Sequence, residues 1–311
     1  MPACGLSTAR SRAAMSILIT GASGFIGGHL AQRLVRDGEK VTVLVRAQSD
    51  LSNLTAVADD IEVAVHDGST AGLRTIVEVC RPDLAFHVAS LFVSEHKLEE
   101  VAPLVTSNVL FPCQLAEALS DLGTGNLVNV GTSWQHFENR DYSPVCLYAA
   151  TKEAFEALLR FYVETDRLKV VTLKLFDTYG LDDPRPKLFS LLRRLAESGE
   201  SLGMSPGEQL QDLVYVDDVV EALVMAGQRL RQGQVTDSEV YAVSSGAPIP
   251  LKDLVAAFAK AAGRSLDIEW GGRPYRNREV MVPWSRGERL PGWQPRVDIE
   301  DGLQRMLAAD V

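Results

Sequence analysis

Tyr148 and Lys152 stand four residues apart, in the spacing Y-x-x-x-K. On a helix, positions i and i+4 share one face, so this spacing brings a phenol and an ammonium together. A cation there favours the phenolate and lowers the tyrosine pKa, which equips the hydroxyl to pass a proton near neutral pH. Ser133 falls just past a β-branched run, at the C-terminal edge of an expected strand, where α/β sites form. Its hydroxyl can hold a substrate oxygen against Tyr148. The three residues make a proton-transfer set.

A second cluster is suited to a phosphate. The apolar run Ile17–Thr20 leads directly into Gly21-x-x-Gly24-x-x-Gly27, and a helical pattern follows. Gly21 permits the tight turn, Gly24 lets a pyrophosphate approach the backbone, and Gly27 lets helix and strand pack closely. The helix N-terminus adds free N–H groups and the positive end of its dipole. The next strand ends Val45-Arg46, where an NAD enzyme usually has an acid for the ribose 2′-OH. A guanidinium there suits a 2′-phosphate instead, so NADP(H) is the preferred cofactor and NAD(H) the possible one. Asp67, after the third strand, is placed either to accept from the adenine amino group or to cap the helix that begins near Ala71.

These residues are positioned by alternating elements. Strand-like runs at Ile17–Thr20, Val41–Val45, Ile61–Val65, Leu84–Val88, Asn126–Val130 and Val170–Leu175 are near-continuously apolar. Helical patterns lie between them at Ile26–Asp37, Ala71–Cys80, Val101–Leu122 and Tyr148–Thr165. The alternation predicts an α/β fold, a doubly wound parallel sheet of Rossmann type buried on both faces. After Phe176 the rhythm breaks. Asp177–Lys187 reads as an irregular loop, Phe189–Ala196 as helix, and Val214–Val216 with Asp217–Gln228 as one more strand and helix. Val240–Val243 is a further strand, and Leu251–Ala262 and Ile299–Ala308 are further helices around a Trp- and Arg-rich stretch. The expected organisation is a flexible tail at 1–14, a dinucleotide-binding domain from 15–176 plus 212–245, and a smaller, discontinuous lobe from 177–211 plus 246–311.

Composition narrows the partners. The 311-residue chain carries a formal charge of −10, which disfavours nucleic acid and anionic membrane surfaces. No apolar run approaches the ~20 residues of a membrane span. Four scattered cysteines form no zinc-spaced cluster with the five histidines, so no metal is expected and a reduced, cytoplasmic setting is the simple reading.

Gly21/Gly24/Gly27, Ser133, Tyr148 and Lys152 together resemble the extended short-chain dehydrogenase/reductase family, of the NAD-dependent epimerase/dehydratase type, over about residues 16–307. Asn108, Lys174–Gly180, Asp212–Asp218 and Gly292–Pro295 are similar to that family as well. The resemblance implies a Tyr148 acid/base, a Lys152 that also contacts the nicotinamide ribose, and a Ser133 that orients the substrate. It implies cofactor contacts from Ser23, Phe25, Ile26, Gly68, Val88, Ala89, Ser90, Asn108 and Phe176, besides the glycines, Arg46 and Asp67. The smaller lobe would bind a nucleotide sugar, with Trp134, Asp177, Lys187, Leu188, Gln211 and Arg276, and with Arg278 beside it, as substrate residues. Family members usually pair the helices at 101–122 and 148–165 across a two-fold axis. Leu115, Leu119, Phe155, Leu158, Leu159 and Phe161 supply apolar surface for such a homodimer.

Three departures sort the reactions. The family's dehydratases carry an Asp-Glu pair after the Ser/Thr, whereas this chain has Trp134-Gln135, which cannot exchange protons usefully. Its epimerases usually have Asn where Asp177 stands, and an Arg is common where Gln211 stands. Ser133–His136, Phe176–Tyr179 and Met204–Gln209 resemble bacterial reductases of CDP-linked 4-keto-deoxysugars. The expectation is an NADPH-dependent 4-ketoreductase. The alternatives are a 4-epimerase with retained NAD and, in another class, a non-catalytic NADP-binding regulatory protein.

Overall fold

The computed structural model describes residues 14–308, so the expected tail lies outside the described residues except for Ala14. Six strands appear in chain order: β1 (Ser16–Thr20), β2 (Lys40–Arg46), β3 (Ile61–His66), β4 (Leu84–His87), β5 (Asn126–Thr132) and β6 (Lys169–Leu175). Short strands β7 (Asp177–Tyr179), β8 (Leu202–Met204), β9 (Leu210–Gln211) and β10 (Leu213–Tyr215) precede β11 (Ser238–Val243), β12 (Ile249–Pro250) and β13 (Ile268–Trp270). The central sheet is parallel, in the order β11-β6-β5-β4-β1-β2-β3. The strand order reverses beside β1, which opens a crevice at the carboxyl edge. This is the doubly wound α/β fold that the alternation implied.

Helices cover both faces. On one lie α1 (Phe25–Arg36) and, later in the chain, Val216–Arg231, joined to the sheet by Ile17, Ile19, Val43, Leu30 and Leu223. On the other lie α2 (Thr70–Cys80), the broken helix of residues 101–121, and Leu147–Glu164, packed through Leu18, Leu73, Leu115, Phe155 and Leu159. Burying each such side chain contributes ~1.5–3 kcal/mol. The edge strand β3 departs from burial on both faces. Val63 and Val65 are about half exposed, because an edge has a neighbour on one side only.

The expected continuous helix over 101–122 is interrupted. It comprises α3 (Val101–Val105), a π-helical turn at Thr106–Leu110, and α4 (Phe111–Asp121). Pro112 has no N–H to donate back along the helix, and the wider turn before it absorbs that loss. Asn108 sits on this turn and is 1% exposed. Its Oδ1 accepts from Leu91 N at 2.8 Å, and its Nδ2 donates to Leu91 O at 2.9 Å and Thr151 Oγ1 at 3.0 Å. Asn108, expected at the cofactor, ties the segment after β4 to α5 (Leu147–Glu164).

After β6 the chain adds α6 (Leu188–Ser198), α8 (Leu251–Ala262) and α9 (Ile299–Ala308), with α7 (Val216–Arg231) running back to the sheet. Asp177–Tyr179, expected as loop, is a strand because it pairs in parallel with β10, outside the central sheet. Two family-like segments meet here. Trp293 Nε1 donates to Asp218 O, and Asp218 Oδ2 accepts from Arg296 N and Val297 N at 3.0 Å. Of the apolar residues assigned to a dimer face, Leu115, Leu119, Phe155 and Leu159 belong instead to the core; Leu158 and Phe161 are exposed. Among the described residues no helix is long and apolar enough to cross a membrane.

Asn108→Ala should strip both Leu91 backbone groups of their partners. Unsatisfied groups of this kind cost about 2 kcal/mol in total, so urea unfolding should show a lower midpoint with an unchanged slope.

Candidate active site

The glycine turn closes on itself, with Gly24 N donating to Gly21 O at 3.0 Å. Gly21 adopts φ +77°, and a Cβ there would lie 2.5 Å from Ala89 N; a Cβ on Gly27 would run into the Gly21 carbonyl. Gly24 is the N-cap of α1 without a side-chain cap, and the first turn holds no acid, so among the described residues no side chain caps its first N–H groups. A side chain would fill this cradle, and a dinucleotide diphosphate fits it. Ser23, Phe25 and Ile26 complete the turn, with Phe25 buried against Arg185, whose Cζ is 4.6 Å from the ring centroid.

The other expected cofactor residues lie along the same carboxyl edge. Arg46 ends β2, exposed, with no partner for its guanidinium among the described residues; its backbone N–H donates to Ser49 Oγ. Asp67 follows β3, where Oδ1 accepts from Ser69 N and Oγ at 2.8 Å. These bonds hold its carboxylate below the usual range. The helix cap is Ser69, which accepts from Gly72 N; Asp67 braces that cap and remains exposed. Gly68 turns with φ +92°. Val88, Ala89 and Ser90 follow β4, and Ala89 N donates to Thr20 Oγ1.

At the centre of the edge, Ser133 opens the turn after β5 and is 9% exposed; Tyr148 and Lys152, on α5, are 8% and 3% exposed. The expected acidification of Tyr148 is reversed. Burial pushes its pKa up to about 12, Cys146 and Asp177 add to the rise, and a hydrogen bond with Ser90 opposes it. The phenol is therefore neutral and carries a proton to give. The shift falls on its partner instead: burial, with Lys174 nearby, lowers Lys152 to about 8 against the pull of Glu156.

Nearby lies a small cleft lined by Ser133, Trp134, Phe176, Asp177, Gln211 and Arg276, all expected at the site. Lys187 reaches the same mouth, 3.6 Å from Asp177 Oδ1 and 5.2 Å from the Phe92 ring centroid, and Leu188 opens α6 beside it. Phe92 bridges to Tyr148 and Trp134, with centroids at 5.0 and 5.6 Å. Arg276 lies over Trp134 but is already paired with Glu279 at 3.1 Å, so it is not a free clamp. Arg278 points away to Ser143 Oγ at 2.8 Å. Gln135, read with Trp134 as standing at an acid/base position, is fully buried and faces Glu153 and Glu156.

Two contributors carried no local signal. Trp284 stacks between His136, at 4.0 Å, and Phe176, at 6.3 Å, and forms a cleft wall. Asn53 donates from Nδ2 to Ala22 O and Gly24 O at 3.0 and 3.2 Å, pinning the glycine turn. Gly28 makes room for it, since a Cβ there would strike Asn53 Nδ2. The fourth glycine in the run was the available clue.

A family model described as the NAD dependent epimerase/dehydratase family matches residues 17–243, and the chain belongs to that family. It is 26% identical to the CDP-abequose synthase of Salmonella typhimurium over 94% of this chain and 97% of that one. It is 28% identical to the UDP-glucose 4-epimerase of Mycolicibacterium smegmatis, with the same coverage. The crystal structure of the Thermus thermophilus UDP-glucose 4-epimerase complex with NAD superposes with a TM-score of 0.79, at 25% identity, covering 94% of this chain and 97% of that one.

Lys152 near 8 gives a titration test. Between pH 8 and the ordinary lysine value near 10.5, the unbound protein carries Lys152 mostly deprotonated. A dinucleotide whose ribose accepts from the ammonium raises that pKa, so binding should take up a proton. Calorimetry at pH 8.5 in buffers of different ionisation enthalpy should show net proton uptake. It should fall towards zero at pH 6.5 and vanish in Lys152→Met.

Proposed function

We propose that the protein reduces the 4-keto group of a nucleotide-linked deoxysugar, such as a CDP-linked 4-keto-6-deoxyhexose, with NADPH. The observation that carries this reading is the side chain after Trp134. Gln135 is sealed from the cleft and cannot ionise, which leaves the position used for elimination without an acid. The resemblance to CDP-abequose synthase over nearly the whole chain supports a CDP-linked sugar.

The cradle at Gly21–Gly27 would hold the cofactor diphosphate, Arg46 its 2′-phosphate, and Lys152 the nicotinamide ribose. When bound, the reduced nicotinamide supplies the hydride. Ser133 and Tyr148 hold the ketone oxygen between two hydroxyls. Tyr148 transfers its proton to that oxygen as it becomes an alkoxide, and the Lys152 ammonium stabilises the phenolate left behind. Trp134, Phe92 and Trp284 exclude water from the sugar. Lys187 and Arg276 are the cations within reach of its diphosphate.

We place this chemistry in the cytoplasm and assign the cofactor to residues 15–176 with 212–245. The nucleotide sugar falls to 177–211 with 246–311. Leu158 and Phe161 leave an apolar outer face on α5 that suits a second copy of the chain, with Val101, Val105 and Leu110 exposed on the broken helix of residues 101–121. A 4-epimerase is favoured by the Mycolicibacterium relative. It predicts protein that purifies with NAD bound and interconverts sugars without consuming NADPH.

With a panel of nucleotide-linked 4-ketosugars followed at 340 nm, Tyr148→Phe should lower kcat by about 10²–10⁴ while NADPH still binds. Equal turnover in the variant overturns the assignment. Arg46→Ala should weaken NADPH by ~1.5–3 kcal/mol and leave NADH nearly unchanged, the difference expected of one charge-assisted contact. Matching wild-type affinities for the two cofactors would remove the NADP preference.

A further inference from the structure

Beneath the cleft, three elements that carry site residues meet in one buried cluster. Thr132 N, at the end of β5, donates to Gln135 Oε1 at 2.9 Å. Gln135 Nε2 donates to Glu153 Oε2 and, at 3.0 Å, to Glu156 Oε1, both on α5. Lys174 Nζ, on β6, donates to the two Glu156 oxygens at 2.8 and 2.7 Å and lies 3.7 Å from Glu153 Oε2. Gln135 and Lys174 are 0% and 2% exposed. Gly131 leaves the space open. A Cβ there would sit 2.8 Å from both Glu156 Oε1 and Lys174 Cδ, and 3.0 Å from Gln135 Oε1.

We propose that Gln135 is a positioning residue, the strap that fixes the Ser133 turn against the Tyr148/Lys152 helix, with Glu153, Glu156 and Lys174 as its anchor. This rests on the proposed reaction, in which Ser133 and Tyr148 hold one carbonyl oxygen. Ser133 lies inside the short loop that the Thr132–Gln135 bond closes. Tyr148 and Lys152 precede Glu153 and Glu156 on the same helix by five and four residues. The amide therefore joins the two hydroxyl-bearing segments through a single side chain. An amide is the group this place requires. It accepts from Thr132 and donates to two carboxylates at once, which neither an acid anion nor a hydroxyl does. A carboxylate at 135 would add a third negative charge to Glu153 and Glu156 against Lys174 and Lys152, an imbalance that burial penalises.

Reaction geometry of this kind is sensitive to displacements of about 1 Å, which can cost 10²-fold in rate. The test compares wild type, Gln135→Met and Gln135→Glu in the full chain. Its readouts are kcat and KM with NADPH and 4-ketosugars, NADPH affinity by fluorescence, and hydrogen exchange of peptides covering 131–136. Gln135→Met keeps the volume and loses every bond. Its kcat should fall about 10- to 100-fold, with NADPH affinity within about two-fold and faster exchange confined to 131–136.

Gln135→Glu supplies the pH readout. A carboxyl at 135 faces Glu153, Glu156 and Lys152 from α5, Lys174 from β6 and His136 from its own turn. Burial and the two carboxylates favour its protonated form against the opposing pull of Lys152 and Lys174, so at pH 6 it still accepts from Thr132 and donates once. Its kcat should then approach wild type at pH 6 and fall with rising pH along a limb that wild type lacks. Three results overturn the proposal: unchanged kcat and exchange in Gln135→Met, NADPH affinity falling in step with kcat, or equal loss in both variants at every pH. If Gln135→Met does not fold, the pH limb of Gln135→Glu decides. If wild type reduces no ketosugar, the proposed reaction fails, and exchange at 131–136 in whichever variant folds decides this inference separately.

Discussion

Two ammonium groups, Lys152 and Lys174, lie almost wholly out of water at the carboxyl edge of the sheet. Placing an ion there costs several kcal/mol unless opposite charge and hydrogen bonds answer it. Glu156 answers Lys174 directly, with Glu153 behind it, and the same carboxylate is the nearest counter-charge acting on Lys152. The rest of the site follows from that balance. α5 must sit where Glu156 meets β6, and that seat sets the helix turns that carry Tyr148 and Lys152. Gly131 must be small to admit the cluster. His87, buried under the same helix, is held neutral by its burial and by Lys152.

Much of this was readable from the chain because it is local. Alternating apolar runs gave the parallel sheet, and the α8 and α9 boundaries coincide with the helical periodicity at Leu251–Ala262 and Ile299–Ala308. The glycine turn is a short-range steric requirement, so its spacing reveals it. What the sequence concealed depends on contacts between distant segments. Nothing near Trp284 indicates that its ring stacks on His136, nearly 150 residues earlier. Asp177–Tyr179 is a strand only because β10 lies beside it. The break at Thr106–Leu110 was signalled by Pro112, yet the apolar periodicity running through it favoured a continuous helix.

The acidity of Tyr148 is the most instructive case. The i, i+4 spacing with Lys152 places the two side chains on one face, as expected, but spacing alone says nothing about solvent. Desolvation acts on phenol and amine in opposite senses, raising the one and lowering the other. In the folded chain burial is the largest influence on each of the two groups. The residue type and its neighbour were legible; the dielectric around them was not. Asn108 is a further case, since its identity suggested a site residue while its bonds, invisible in the sequence, brace the post-β4 segment against α5.

The pairing of Arg276 with Glu279 bears on how an anionic ligand would enter. One edge of the guanidinium, Nε with Nη2, is engaged side-on, and Arg276 N also donates to Glu279 Oε2. The side chain is therefore already confined above Trp134, and its rotamer freedom was lost on folding rather than on binding. A phosphate arriving there would meet an ordered guanidinium rather than a loose cation, with Glu279 holding its Nε/Nη2 edge. Because the protein as a whole is strongly acidic, long-range attraction contributes little to that encounter. Capture would then be a short-range event, in which the incoming group must match a guanidinium already oriented by the Glu279 carboxylate. Planar or tetrahedral oxyanions meet that requirement; a diffuse negative charge does not.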